Sequence, residues 1–137
     1  MILRSDTQFS AINLLDSGEK GHIMLVSSES DGPAAQFTGR DLKSRVSIAA
    51  LNNNPDVQLY DGQERIRAEV GMAELGPMIR VYGSNSDTRA VLGVADDVPT
   101  ALVGGPEKGS VMMTAKRNGE ILIFKPDGKT VVWAAPR

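Results

Sequence analysis

Short runs in which every second residue is apolar recur along the chain, and such runs are typical of β-strands with one buried face. Val57 and Leu59 share one face of a first run, and Ala68 and Val70 share one face of the next. An Asp-Gly pair at residues 61–62 separates these two runs, and we expect the glycine to supply the positive φ of a tight turn. The pattern predicts a strand, a turn and a second strand, and no segment has the spacing of a helix.

The strand–turn–strand unit recurs every 22 residues. Four prolines, at Pro33, Pro55, Pro77 and Pro99, mark this interval. Apolar columns keep the same phase, and one of them reads Leu15, Phe37, Leu59, Val81 and Val103. Residues 1–137 are therefore predicted to form a single repeat domain, with a lead-in at 1–10 and repeats at 11–32, 33–54, 55–76, 77–98, 99–120 and 121–137.

A 22-residue hairpin cannot bury its own apolar face, so stability must come from stacking the repeats or closing the array. We predict an all-β fold of about 12 strands, stacked or closed into a barrel, prism or propeller-like body. A parallel β-helix with one coil per repeat is the first alternative, and a β-trefoil is the second. The Asp-Gly turns favour hairpins over the β-helix, and the 22-residue period disfavours the 44-residue period of a trefoil.

One column of the second strand changes character along the chain. It reads Arg45, Arg67 and Arg89 in the middle repeats, but Ile23, Val111 and Trp133 in the outer ones. Together with their apolar neighbours, the outer positions predict a subunit interface of Ile23, Leu25, Val111, Met113, Val131 and Trp133. Such a patch suits a symmetric homo-oligomer. The alternative is that the two ends of the chain pack on each other and close one barrel.

Four residues form a candidate ligand-binding set. Arg67 and Arg89 suit an anion, because guanidinium groups match carboxylates and phosphates. Pairing with neighbouring carboxylates across the strands is the more ordinary role for them. Tyr60 and Tyr82 are one repeat apart and would suit a sugar ring, although such a pair more often covers a sheet face.

The composition excludes several classes of function. There are 15 basic and 17 acidic residues, for a net charge of −2. The chain therefore lacks the basic excess that is typical of nucleic-acid-binding proteins. Without cysteine and with His22 as the single histidine, disulfides, thiolate metal sites and multi-histidine sites are excluded. No Gly-x-Ser-x-Gly motif occurs, and Asp96-Asp97 lacks the spacing of a calcium loop. We therefore expect no enzyme, no metal and no cofactor.

No segment of the sequence is apolar over the length that a membrane helix requires, and the first residues lack the pattern of a signal peptide. We expect a soluble chain that does not insert into a membrane. The sequence leaves its location open.

The repeat resembles that of a group of uncharacterised bacterial proteins, with the form Pro-x-Leu-x-Leu-Tyr-Asp-x-x-Gly-Lys-x-Arg-Ala-x-Leu-Gly-Val. Residues 55–70 and 77–94 carry most of the motif, and residues 124–136 match its Trp- and Pro-containing end. Residues 33–54 depart from it, because Phe-Thr-Gly-Arg-Asp replaces the Tyr-Asp-x-x-Gly turn. The resemblance implies the hairpin architecture, but its motif consists of turn and strand residues and implies no activity.

The sequence therefore predicts a non-enzymatic structural or interaction module that assembles with itself and presents a surface to a protein or glycan partner. The alternative is a carbohydrate- or small-ligand-binding β-repeat domain.

Overall fold

The computed structural model describes residues 2–5, 9–20, 22–51, 54–105, 109–115, 120–127 and 130–134, which form strands and turns without a helix. The strands are β1 (Ile2–Ser5), β2 (Phe9–Leu15), β3 (His22–Ser28), β4 (Gly32–Thr38), β5 (Ser44–Leu51), β6 (Asn54–Tyr60), β7 (Ile66–Ala73), β8 (Gly76–Tyr82), β9 (Thr88–Ala95), β10 (Val98–Gly105), β11 (Gly109–Thr114), β12 (Glu120–Phe124) and β13 (Val131–Ala134). They belong to one sheet, in which their order is that of the chain.

The prediction of an all-β fold built from strand–turn–strand units is confirmed. Every strand pairing that the structure describes is antiparallel, as between β4 and β5 or between β9 and β10. The parallel β-helix is therefore wrong, since its coils would pair strands of the same direction. Closure of the array into a barrel, prism, propeller or trefoil stays a prediction.

The lead-in at residues 1–10 contains one strand more than the sequence predicted. Strand β1 pairs with β2, and its Leu3 lies opposite Ile12. This adds a thirteenth strand to the twelve of the six repeats. Four residues are enough here because the first repeat already presents a strand edge for them to pair with.

The chain divides into two compact units, Met1–Gly71 and Met72–Arg137. Unit 1 contains β1 to β6 and most of β7, and unit 2 contains the end of β7 and β8 to β13. The organisation of residues 1–137 as a single domain stays a prediction.

The turns after β4, β6 and β8 share one conformation. In the β6–β7 turn, the Glu64 amide donates to the Asp61 carbonyl and the Asp61 amide donates to the Arg65 carbonyl, both at 3.0 Å. These bonds define a three-residue loop whose third residue is left-handed. That position is occupied by Leu42, Glu64 and Ser86, with φ of 61°, 60° and 64°.

The expectation that Gly62 supplies the positive φ is wrong. Gly62 is the first residue of the loop, where a right-handed conformation is required, and the left-handed residue comes two positions later. The loop therefore places an L side chain where glycine is favoured, at a cost on the order of 1 kcal/mol for each residue.

Asp96 and Asp97 form a different turn. Ala95 lies opposite Val98, so these two aspartates alone connect β9 to β10, and their φ values are 50° and 62°. Positive φ at both central residues is the requirement of a type I′ turn, which aspartate tolerates. The pair has a structural role in the hairpin.

The three arginines of the middle repeats are bulge residues. Phe37 lies opposite Val46 and Thr38 opposite Ser44, so that Arg45 has no residue directly across from it. Register shifts at the equivalent points leave Arg67 and Arg89 in the same situation. Each bulge adds one residue to the second strand of its hairpin.

The prediction that Ile23, Val111 and Trp133 belong to the arginine column is wrong. Their cross-strand neighbours are Phe37, Val103 and Ile123, in that order. They are therefore the structural equivalents of the apolar residues that follow the bulged arginines.

Differences in turn length explain this shift of phase. The β3–β4 turn has three residues between Ser28 and Gly32, whereas the type I′ turn after β9 has two. The β10–β11 hairpin pairs without a register shift and therefore lacks the bulge residue. Because side chains alternate between faces, a change of one residue moves a whole column to the other face.

Replacing Leu42 by glycine is expected to stabilise the protein by about 1 kcal/mol, because it removes the left-handed strain of an exposed L side chain. Urea unfolding at one fixed protein concentration measures the change. The matched control is Gly62→Ala, where the added methyl meets no atom within 4 Å and the free energy of unfolding should stay level or rise slightly. A loss of stability in Leu42→Gly would contradict the strain argument.

Candidate interaction surface

One face of unit 1 is apolar along two rows that cross its strands. Residues directly opposite each other in an antiparallel sheet project from the same face, so the register identifies the members of each row. The first row is Leu3, Ile12, Leu25, Ala35, Ile48, Val57 and Val70. The second row is Leu14, Ile23, Phe37, Val46, Leu59 and Ala68. These two rows are called the apolar face of unit 1.

The large side chains of this face are widely exposed. Leu3 is 64% exposed, Val70 50%, Ile48 46% and Leu59 45%. Among the described residues, the only buried apolar side chains are Ala11 and Ala49, and both project from the other side of the sheet because they are one residue out of phase with the two rows. The apolar face is therefore unprotected in the isolated chain.

The opposite face of unit 1, called its polar face below, carries one polar row and, beside it, a row of small and apolar residues that reads Ala11, Val26, Ala34 and Ala49. A row of directly opposed residues there reads Asn13, Met24, Gln36, Ser47, Gln58 and Glu69. Gln36 donates a 2.6 Å side-chain hydrogen bond to Ser44 Oγ. Alternation of polar and apolar faces is the normal arrangement for a sheet with one wet side and one covered side.

Unit 2 continues the pattern with its own strands. Its apolar face has the rows Ile79, Leu92, Ala101, Met113 and Ile121, and Val81, Ala90, Val103, Val111, Ile123 and Trp133. Val103 is 63% and Leu92 58% exposed. The other face differs from that of unit 1. Arg80 begins a row there whose next four residues are apolar, namely Val91, Leu102, Met112 and Leu122.

Five of the six residues predicted for a subunit interface lie on these apolar faces. Ile23 and Leu25 are on the apolar face of unit 1, and Val111, Met113 and Trp133 are on that of unit 2. Val131 lies opposite Phe124 because the register shifts between Ile123 and Phe124, which removes it from the row of Trp133. Whether these residues form an interface stays a prediction.

Sequence reasoning missed the central part of both faces. Leu59 and Val70 were predicted to lie on the buried face of their strands, yet they are 45% and 50% exposed. Ile48, Val81 and Leu92 on the same faces are between 45% and 58% exposed. The signal was present in the sequence, because each hairpin has one apolar face and no segment has the spacing of a helix that could cover it.

Arginine–aspartate pairs neutralise the turns at one end of the strands. Arg45 Nη2 donates to both Asp41 oxygens, at 2.8 and 2.7 Å. Arg65 Nη2 lies 2.8 Å from Asp61 Oδ2, and its Nε donates to the same oxygen at 2.9 Å. A third pair joins Arg89 Nη2 to Asp87 at 2.8 Å in unit 2. The prediction that carboxylates pair with the arginines holds for Arg45 and Arg89.

Neighbouring turns of unit 1 are also tied to each other. Lys43 Nζ donates to the Gly62 carbonyl at 3.0 Å, and the Ser44 amide donates to Glu64 Oε1 at 3.2 Å. The polar groups at this end of unit 1 thus form hydrogen bonds within the chain.

The ligand candidate Tyr60 projects from the polar face of unit 1. Its hydroxyl donates to Gln58 Oε1. Partial burial, followed by the charges of Asp56 and Glu69, raises the pKa of the Tyr60 hydroxyl. Burial and the Glu69 charge also raise the pKa of Asp56. The carboxylates around Tyr60 therefore disfavour an anionic ligand at this position.

The other ligand candidates are divided between the two units. Arg67 is in unit 1, and Tyr82 and Arg89 are in unit 2. The Arg89 guanidinium lies against the backbone of Gly105, beside an open groove of about 490 Å³ that Ser84 and Val103 also line. The joint use of the four residues as one ligand site stays a prediction.

His22 has a structural partner. Its amide donates to Thr38 Oγ1 at 3.0 Å, and its ring Nδ1 lies 3.0 Å from the same hydroxyl, which connects β3 to the end of β4. Within the described ranges, no group of three or more His, Asp or Glu side chains is arranged to hold a metal ion.

In comparisons with known proteins, no family model, no curated protein and no solved structure matches the chain. The described part of the chain offers no helix that could span a membrane.

Asp61→Asn is expected to lower the free energy of unfolding at pH 7. Hydrogen bonds from the Arg65 side chain, and then from the Gln63 and Arg65 amides, lower the pKa of Asp61 from its usual 3.8 to about 2. A lowered folded-state pKa stabilises the fold above pH 3.8, and this contribution is lost as the pH falls through about 2. The difference between native protein and variant, measured by urea unfolding from pH 7 to pH 2, should therefore shrink over that range.

Arg65→Gln provides the matched background for this measurement. The effect of Asp61→Asn should be smaller in that background, because the main donor to the carboxylate is gone. An equal effect of Asp61→Asn with and without Arg65, at all pH values, would show that the ion pair does not stabilise the turn.

Proposed function

We propose that this protein is a non-enzymatic structural module that assembles with a second copy of itself through the apolar face of unit 1. The observation that carries the proposal is the pair of uninterrupted apolar rows, from Leu3 to Val70 and from Leu14 to Ala68, most of whose large side chains are exposed in the isolated chain.

The cost of leaving this face in water is the first argument. A sheet that is apolar on one side must bury that side against another element, and each covered Leu, Ile or Val side chain contributes about 1.5–3 kcal/mol relative to full exposure. Since side chains such as Leu3 and Ile48 remain about half exposed, much of this contribution is still to be gained when the face is covered.

The area of the face is the second argument. Two rows that are two residues apart, on seven strands spaced about 4.8 Å apart, cover roughly 30 Å by 14 Å, or roughly 400 Å². This matches the largest apolar patches of typical monomers, about 300–600 Å², which are often functional. The whole face of the seven strands, at about seven residues each, covers roughly 700 Å², close to the 800 Å² or so that each partner buries in a stable protein–protein interface.

A second copy is the occupant that fits this face. An isologous contact places the same apolar rows against each other, and two sheets that pack face to face form a sandwich about 10 Å thick. The formal net charge of −2 opposes association only weakly. The polar row with Gln36 and Gln58 then remains on the wet outer side.

The module suits a role in architecture or in presenting a surface to a protein or glycan partner. The arginine–aspartate turns and the polar face of unit 1 would be the surfaces offered to such a partner, because self-assembly leaves them uncovered.

The test is the mass of the native protein in solution and its response to a charge on the apolar face. Light scattering and sedimentation velocity at micromolar concentration should report an oligomer. Ile48→Glu should raise its dissociation constant at least about a hundredfold, because a carboxylate would be buried without a partner.

Ser47→Glu is the matched control for this charge. It introduces the same carboxylate one residue away, on the polar face opposite Gln36 and Gln58, and should leave the mass unchanged. A native protein that is monomeric at micromolar concentration would refute the proposal, and so would equal weakening by both substitutions.

A further inference from the structure

Strand β4 carries the most unequal pair of side chains on the apolar face of unit 1. Ala35 is the only small residue of the first row, and Phe37 is the largest of the second. They are two residues apart on the same strand and project from the same face. Three strands lie on either side of β4 within unit 1, so this pair is at its centre.

The two residues compensate each other in size. Phe37 and Ala35 together carry as many side-chain carbon atoms as Ile23 and Leu25 on β3, or as Leu14 and Ile12 on β2. The pairs on β5 and β6 carry nearly as many. From β2 to β6 the face therefore has a nearly even apolar volume per strand but an uneven division between its rows, whereas Ala68 and Val70 on β7 carry only half as many carbon atoms.

We infer that two copies pack face to face about a two-fold axis that crosses the strands between the two rows, with Phe37 of each copy over the partner's Ala35. This inference rests on the self-assembly proposed above. Such an axis places the first row of one copy over the second row of the other, strand by strand, so that the combined size is nearly even from β2 to β6.

The competing axis, parallel to β4, is disfavoured by the same two residues. It would place Phe37 over the partner's Phe37 and Ala35 over the partner's Ala35, giving overlap at one point and a void at the next. Both defects are costly in close-packed interiors. Because packed sheets cross at about −30°, the central strand is where opposing side chains match best, and β4 therefore decides the register.

The experiment exchanges the two residues. Ala35→Phe alone should raise the dissociation constant of the dimer at least about thirtyfold, because the overpacked contact occurs twice, and Phe37→Ala should do the same through two cavities. The double variant A35F/F37A restores the combined volume. Its dissociation constant should return to within about tenfold of that of the native protein.

Gln36→Phe is the matched control, since it adds a ring of the same size on the same strand but on the polar face, and it should leave the dissociation constant unchanged. Should circular dichroism show that Ala35→Phe does not fold, Ala35→Leu takes its place, and a dissociation constant between those of native protein and Phe37→Ala is expected.

The outcomes separate the two proposals. A double variant that is as weak as the single variants would overturn the Phe37–Ala35 packing while leaving self-assembly through this face in place. A native protein without any oligomer would overturn both.

Discussion

The strand register is the constraint on which the rest of this structure depends. Side chains alternate between the faces of a strand, so a slip of one residue would carry apolar side chains to the polar face. The chain contains bulged and unbulged hairpins and turns of two and three residues, yet the apolar rows remain unbroken within each unit. Val46 follows Ile23 by 23 residues, and Val111 follows Ala90 by 21, so the sequence adjusts its spacing to keep the face intact.

Local features of the fold were predictable because antiparallel hairpins depend on neighbouring residues. Alternation and the turn residues predicted the strands and their pairing, and Arg45 and Arg89 were correctly expected to find carboxylates. The face of the sheet on which Ile23 and Val111 lie was not predictable from the 22-residue spacing. A turn that is one residue longer or shorter cannot be recognised from its amino-acid composition. The prediction also placed the left-handed residue of the β6–β7 turn incorrectly. It assigned the positive φ to Gly62, the first residue of the loop, whereas Glu64, the third, has it.

The sequence predicted only the part of the candidate surface that comes from the ends of the chain. The apolar residues at the ends of the chain indicated an interface, and five of the six lie on apolar faces of the two units. The middle repeats were assigned to an interior, because period-two alternation identifies a face to be covered but does not identify what covers it. That information is non-local, and in a fold without helices it must come from the same strands or from another molecule.

The distribution of satisfied and unsatisfied groups in unit 1 supports the proposed self-assembly more than the binding of a small ligand. At the turns, Asp41 and Asp61 already hold arginines, and on the polar face the Tyr60 hydroxyl already has an acceptor in Gln58. A ligand there would have to displace existing hydrogen bonds for a small net gain. Covering the apolar face breaks no hydrogen bond, because its side chains have none to lose, and it removes a large area from water. The strongest driving force in unit 1 is therefore the contact of this face with another apolar surface.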